Sequence, residues 1–295
     1  MNFYDIFVLR RSVVYNQKLC LGLGCAPELS AKEQLLLFKK AGFDGFFSGF
    51  ESKEQIADLA EFAKKENLVF QSVHAPFHKS AAIWKECEEG AAAVDELKAC
   101  VSAAADAEVP VVVSHVFIGF DKPDKPTQLG LDRFAEVVRF ASENNVKIAF
   151  ENTEGEEFLS AVMDYFKGNP AVGFCWDTGH EHCYNYGKDM TALYGDRLIA
   201  THLNDNLGIS DFGGHTFWTD DLHLLPFDGI IDWRTVAERL NRVGYNGILT
   251  FELGRKSKPG RHDNDKYESM SSEIYVAEAY NRACRLAAIK NRSNK

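Results

Sequence analysis

Val109-Pro-Val-Val-Val-Ser-His115 is the stretch from which the fold can be read. A valine run without polar alternation suits a strand buried on both faces, as in a parallel sheet covered by helices. This one ends in a histidine. The same grammar recurs along the chain: Ser72-Val-His74-Ala-Pro76, Ile148-Ala-Phe-Glu151-Asn152, Gly173-Phe-Cys-Trp-Asp177-Thr-Gly-His180, Ile199-Ala-Thr-His202-Leu-Asn-Asp205 and Ile248-Leu-Thr-Phe-Glu252-Leu-Gly254. Each short apolar run ends in an acid or an imidazole. In a parallel β/α barrel all strand C-termini meet at one face, so groups far apart in sequence become neighbours there.

Working outward, the periodicity predicts strands over 18–23, 43–47, 68–73, 109–114, 146–150, 172–176, 198–201 and 248–251. Helical patterning falls between them, over 35–40 (entered from Ser30, with Glu33 three residues on), 54–66, 83–105, 131–143, 157–166 and 233–242. A helical turn is expected near 190–194, and a closing helix over 271–289. About eight strands alternating with helices predict an α/β fold, a single-domain (β/α)8 barrel over residues 18–290. No Pro-, Gly- or Ser-rich linker marks a second domain within 1–295. Residues 1–17 have no place in the alternation; capping the barrel floor and packing on a partner chain both stay open. Two connections, 204–228 and 254–267, exceed ordinary βα loops, and long loops on a compact scaffold tend to be functional.

With 45% hydrophobic and 26% charged residues, the 295-residue chain has the composition of a soluble globular protein. No apolar stretch reaches the roughly 20 residues of a membrane helix, and the N-terminus reads as mature protein without a signal peptide. A net charge of −10 makes a poor binder of nucleic acid. The seven cysteines include no CxxC pair, which predicts reduced core thiols and a cytoplasmic protein.

Glu151, Asp177, His202 and Glu252 end strands five to eight. Three carboxylates and one imidazole form a hard O/N donor set suited to a divalent metal: Mn, Mg, Co or Zn. Singly, each reads equally well as a salt bridge or a cap; four in consecutive β/α units do not. His74 and His115 end strands three and four toward the same face, as ligands or as substrate contacts. His180 stands three residues after Asp177, where the strand is expected to turn into a loop. Asp221 and His223 share one side of an extended segment.

The ordered set HAP, SH, EN, DTGH, HLND, DLH-LPFDG-IDW and FE resembles the xylose-isomerase-like TIM-barrel superfamily over roughly residues 18–290. The resemblance implies a divalent-metal-dependent isomerase or epimerase of a sugar, sugar phosphate or related keto-polyol. Glu151, Asp177, His202 and Glu252 would hold the metal. Glu151 and Glu252 would also transfer protons through a metal-stabilised enediolate, and His180 would contact a substrate oxygen. The endonuclease IV branch of the same superfamily implies a zinc phosphodiesterase acting on abasic DNA. There His74 and His115 would share one zinc with a bridging Glu151, and His180, Asp221 and His223 would bind another. All nine positions are present in this chain. Leu222 between Asp221 and His223, the Leu224–Asp228 continuation and the acidic charge weigh toward the sugar branch. A non-catalytic sugar- or metal-binding barrel is the third reading, and a homo-oligomer stays open.

Two further signals concern substrate. The basic stretch Arg255 to His262 follows the last strand, where barrels often bind phosphate; a solvated loop is the alternative. Trp218, in the Gly- and aromatic-rich segment 212–220, is expected to stack on a sugar face, and Phe47, Phe77, Phe117 and Trp176 are candidates to line the mouth.

Overall fold

The computed structural model describes residues 17–120 and 125–292. The N-terminal extension, apart from Gln17, lies outside the described residues. The strands are β1 Leu19–Gly22, β2 Gly45–Gly49, β3 Val69–His74, β4 Val111–His115, β5 Lys147–Glu151, β6 Val172–Asp177, β7 Leu198–His202 and β8 Leu249–Phe251. The helices are α1 Ala31–Ala41, α2 Lys53–Glu66, α3 Glu88–Asp106, α4 Gln128–Glu143, α5 Glu156–Tyr165, α6 Thr178–Cys183, α7 Met190–Tyr194, α8 Trp233–Arg242, α9 Asp265–Glu268 and α10 Ser272–Arg292.

Neighbouring strands are parallel, in the order β7-β6-β5-β4-β3-β2-β1-β8. Closure follows just beyond β7, where Leu203 bridges in parallel to Phe251. There Leu203 N donates to Thr250 O at 2.9 Å and Glu252 N donates to Leu203 O at 3.3 Å. The result is the expected single-domain (β/α)8 TIM barrel. No helix among the described residues is long and apolar enough to cross a membrane.

Two sides of each strand do different work. Ile148, Phe150, Phe174 and Trp176 belong to the large core between sheet and helices. Val111, Val113, Ala149, Cys175 and Ala200 form a separate inner cluster that fills the barrel. Successive side chains alternate faces. Continuing that alternation from Val113, Ala149, Cys175 and Ala200 sends His115, Glu151, Asp177 and His202 to the interior at the strands' C-terminal ends.

Ser30 caps α1 in the expected box with Glu33. Two local expectations are corrected. The helix expected over 83–105 is broken: a 3₁₀ turn spans Ser80–Trp84, and α3 starts only at Glu88. Tertiary bonds win over local propensity there. The Trp84 indole donates to Val116 O at 2.7 Å, and Arg133 donates to Ile83 O at 2.9 Å and Lys85 O at 2.6 Å, taking carbonyls that a continuous helix would use. The second correction concerns 177–180, which is no loop. Asp177 N-caps α6, its Oδ1 accepting from His180 N at 2.7 Å.

Candidate metal centre

Glu151 lies at the centre of the barrel mouth with no solvent exposure. Its Oε2 is 3.3 Å from Nε2 of both His74 and His115. Its Oε1 is 3.1 Å from His202 Nδ1 and 3.4 Å from His180 Nδ1. His202 Nδ1 also lies 3.0 Å from Glu252 Oε2, so the imidazole from β7 stands between carboxylates from β5 and from the end of β8. A second group flanks this one. His180 Nε2 is 3.4 Å from Asp221 Oδ1, and His223 Nε2 is 2.8 Å from Asp221 Oδ2. His223 adopts a left-handed backbone (φ 49°), which helps turn its ring back toward Asp221.

Candidate ligand atoms gather in four groups, each within 4.8 Å: Glu151–Asp177–His202–Glu252, His74–His115–Glu151 and Glu151–Cys175–His202, which share Glu151, and the separate His180–Asp221–His223. A cation with bonds of about 2.1 Å spans ligands up to about 4.2 Å apart, so small side-chain adjustments complete a shell. Glu151 Oε2 and His202 Nε2 are buried without a hydrogen-bond partner, as are His115 Nδ1 and Asp221 Oδ1. Buried polar atoms are normally satisfied, and a cation would satisfy these. The donors are oxygen and imidazole nitrogen, so the residues fit a divalent metal.

The electrostatics follow from crowding charge in a dry site. Burial opposes ionisation of Glu151, but His202, His115 and His180 together hold it well below the usual carboxylate range. Burial also opposes Glu252, and His202 and His223 outweigh it, bringing the group to about 2. Asp177 goes the other way, to about 6, through burial and the neighbouring Glu151 charge. Burial lowers His115 to about 4. Burial opposes the charged forms of His180 and His202, but Asp177 and Asp221 outweigh it at His180, and Cys175, Glu151 and Glu252 at His202, so both are raised well above the ordinary value. The carboxylates that retain these imidazole protons would equally attract a cation, whose binding would release the protons.

An amide network holds Asp177 in place. Asn204 Nδ2 donates to Asp177 Oδ2 at 2.8 Å, Asp177 N donates to Asn152 Oδ1 at 2.9 Å, and Asn152 Nδ2 donates to Asp177 O at 2.9 Å. Behind α6, buried Glu181 accepts from Trp176 Nε1 at 3.0 Å and is clasped by Arg239 at 2.7 and 2.6 Å. Asn152 and Asn204 stand in the EN and HLND motifs quoted above, whereas Glu181 and Arg239 carry no sequence signal. Cys175 could have been found, since it sits two residues before Asp177 on the same face.

Other expected contacts fall differently. Trp218 is half exposed, with the Lys258 ammonium 5.8 Å from its ring centre. Arg255 is buried and committed elsewhere, donating to Glu28 Oε2 at 2.6 Å and Ser272 Oγ at 2.9 Å. The cation that reaches the cluster from this loop is Lys258, 3.6 Å from Asp221 Oδ2. Of the expected mouth aromatics, Phe47 stacks on His202 (4.6 Å) and Phe77 on His115 (4.8 Å). Phe117 stacks on Phe158 and Trp176 is buried behind the sheet, so both belong to the core.

The mouth opens into two cavities. One of ≈ 470 Å³ is bounded by Gly22, Phe47, His74, Phe77, His223 and Glu252. The other, ≈ 240 Å³, is bounded by Phe77, His115, Glu154, His180, Tyr184 and Trp218. Burial lifts the Glu154 carboxyl to about 7. A larger cavity of ≈ 890 Å³ is lined by Val69, Val111 and Ile248 at the opposite, N-terminal end of the strands, remote from every candidate ligand.

A family model described as xylose isomerase-like TIM barrel matches residues 35–273. The chain belongs to this family. A curated relative, the uncharacterized protein y4fM of Sinorhizobium fredii, is 33% identical over 171 residues, 54% of this chain and 52% of the relative. The chain thus spans about half the length of that relative. Among solved structures, a D-psicose 3-epimerase with D-tagatose from Clostridium cellulolyticum H10 superposes with a TM-score of 0.70 at 16% identity, covering 92% of this chain and 99% of the other. The IOLI protein with a binding zinc atom gives 0.70 at 21% identity, covering 92% and 98%. At these identities the superpositions establish the shared barrel.

Proposed function

We propose that this family member is a divalent-metal-dependent isomerase or epimerase of a sugar or related keto-polyol. One observation carries the proposal: Glu151, Asp177, His202 and Glu252 offer ligand atoms within 4.8 Å of one another, and Glu151 and His202 each bury a polar atom that makes no hydrogen bond within the protein. These four would hold the cation. When bound, it supplies Lewis-acid polarisation of substrate oxygens.

The chain's own residues would do the rest. Glu151 and Glu252 lie 3.1 and 3.0 Å from the same His202 ring nitrogen, on non-adjacent strands. A substrate carbon bound between the two carboxylates would meet one on each face. One carboxylate takes the proton alpha to a carbonyl and the other returns it, which is epimerisation; return by a single carboxylate to the next carbon is isomerisation. His180 and His74 line the two cavities and would hydrogen-bond substrate hydroxyls there. Support also comes from structural neighbours: a D-psicose 3-epimerase, an L-ribulose 3-epimerase and the IOLI protein with a binding zinc atom.

The test is proton exchange. The Mn- or Zn-loaded protein is incubated with a ketose panel in D₂O, and deuterium incorporation is followed by NMR. Incorporation is expected, and Glu252→Gln should abolish it even when metal is supplied in excess and occupancy is verified by metal analysis. Full turnover in that variant would remove Glu252 from the acid/base pair.

A second reading rests on a separate observation, the His180–Asp221–His223 group beside the His74–His115–Glu151 group. Together they supply donors for a polynuclear zinc centre of the phosphodiesterase type. Metal stoichiometry and cleavage of an abasic oligonucleotide separate the two: a single ion without cleavage favours the isomerase, and several zinc ions with cleavage favour the nuclease.

A further inference from the structure

We propose that the outer wall of the barrel, between α8 and α10, binds a small polyanion carrying two or more phosphoryl groups. The site is separate from the metal cluster and does not depend on the isomerase reading. The two helices pack side by side, and Asn241 Nδ2 on α8 donates to Lys290 O on α10 at 2.8 Å. The loop that enters α8 and the C-terminal half of α10 leave a cavity of ≈ 610 Å³ between them. It shares no residue with either mouth cavity.

Arg285, Ala288, Ile289 and Arg292 border this cavity from α10. Their spacing of three, four and seven places them on one helix face. Such a stripe is ordinarily apolar and turned to the core. Here it carries two guanidinium groups two turns apart, with the short Ala288 side chain between them. Arg234, at the start of α8, borders the same cavity.

Among the described residues no carboxylate comes within salt-bridge distance of these three arginines. By contrast, Arg239, Arg242, Arg255, Arg261 and Arg282 all pair with acids. The acid bordering the cavity, Asp232, is committed to capping α8: it accepts from Arg234 N and Thr235 Oγ1, each at 2.9 Å. In a chain of net charge −10, three such guanidinium groups around one cavity concentrate positive potential locally.

The remaining wall is aromatic and held in place. The Arg285 guanidinium lies over the Phe227 ring, 3.9 Å from its centre. Phe227 has a left-handed backbone (φ 75°), a strained conformation for an aromatic residue. Buried Asp205 fixes it there. Its Oδ2 accepts from Phe227 N at 2.8 Å and from Trp233 Nε1 at 2.7 Å, and its Oδ1 from Ile231 N at 3.1 Å. A guanidinium over a ring keeps its in-plane N–H donors for an anion, and its fork matches pairs of phosphate oxygens. Single exposed charges are screened by salt. Three cations around one cavity therefore favour a di- or triphosphate over a monoanion, and the cavity volume admits one.

The test titrates orthophosphate, pyrophosphate and tripolyphosphate calorimetrically into the full chain at about 0.15 M salt. No divalent metal is added, because these probes chelate it. Affinity should rise along that series. Arg234→Gln, Arg285→Gln and Arg292→Gln should each weaken tripolyphosphate by about tenfold. Arg285→Lys keeps the charge without the fork and should recover only part of that loss. Arg139→Gln, on α4, should change binding by less than about twofold. All four arginines are exposed, so the variants should keep the wild-type unfolding midpoint. No saturable binding of any of the three anions overturns the inference. So does a loss in Arg139→Gln equal to that in Arg285→Gln, which would mean attraction to net charge alone. Binding that survives the three substitutions together overturns it as well, since the anion would then sit elsewhere. Failure of the isomerase reading leaves the site untouched, because the two share no residue.

Discussion

Gly179→Ala would test how the metal site is held without touching a ligand. A Cβ at Gly179 lies 1.9 Å from Asn204 Oδ1, 3.0 Å from its Cγ and 3.4 Å from its Nδ2. Ordinary contact needs about 3.4 Å or more, so the Asn204 amide must retreat by well over an ångström. That movement breaks the 2.8 Å bond from Asn204 Nδ2 to Asp177 Oδ2. Alanine gains up to about 1 kcal/mol in helix propensity, against about 1–3 kcal/mol for overpacking and about 1–3 kcal/mol for the unpaired buried amide. Net destabilisation should be about 1–5 kcal/mol, so the variant is first checked for folding by circular dichroism. Loss of an outer-shell partner weakens metal binding by about 10- to 100-fold. Zinc affinity, measured by competition with a chromophoric chelator, should therefore fall by that factor in a folded protein. Asn204→Ala should show a similar loss, and adding Gly179→Ala to it should add little. Wild-type affinity in Gly179→Ala, or a full additive loss in the double variant, would refute the coupling through Asn204.

Glu151→Gln removes the carboxylate that faces four imidazoles. At about 3–5 kcal/mol for breaking a buried charge pair, zinc affinity should drop by about 10²–10⁴-fold in equilibrium dialysis. Arg239→Met strands the buried Glu181 carboxylate and should cost about 3–5 kcal/mol in urea unfolding; adding Glu181→Gln should recover a good part, because the amide oxygen still accepts from Trp176. Asp189 supplies a pH test. Burial opposes its ionisation, but Thr191, Arg242 and Arg239 outweigh it and lower the group from 3.8 to about 2. A carboxylate lowered on folding stabilises fully above its unfolded value and loses that contribution as pH falls through the folded one. Asp189→Asn should thus lower stability at pH 7 by on the order of 1 kcal/mol, screened because the site is partly exposed. The difference should vanish near pH 2 in urea midpoints.

Strand-terminal residues were legible because period two and the terminal position together fix where a side chain points. His115 follows Val111 and Val113, and Glu151 follows Ala149, so the inward face is written in the sequence. Asp177 as a cap was equally legible, since an acid three residues before the backbone N–H it accepts from is the ordinary N-terminal signal; reading it as the entry to a loop missed α6. The break at Lys85–Cys87 was not legible, because it depends on Arg133 and Val116, which are distant in sequence. Arg255 looked like a free cation beside the last strand. Only the fold brings Glu28, 227 residues away, to its guanidinium.

The sequence alone determined the alternation of strand and helix, the barrel, and the residues that converge at its mouth. These are short-range consequences of periodicity and of which residue ends each run. The tertiary structure decided which of the converging groups share an atom's reach, which polar atoms stay unsatisfied, and how the mouth divides into two cavities. Those properties depend on distances between segments far apart in the chain. Closure of the sheet, loop packing and the competition among buried charges set such distances, and no local pattern encodes them.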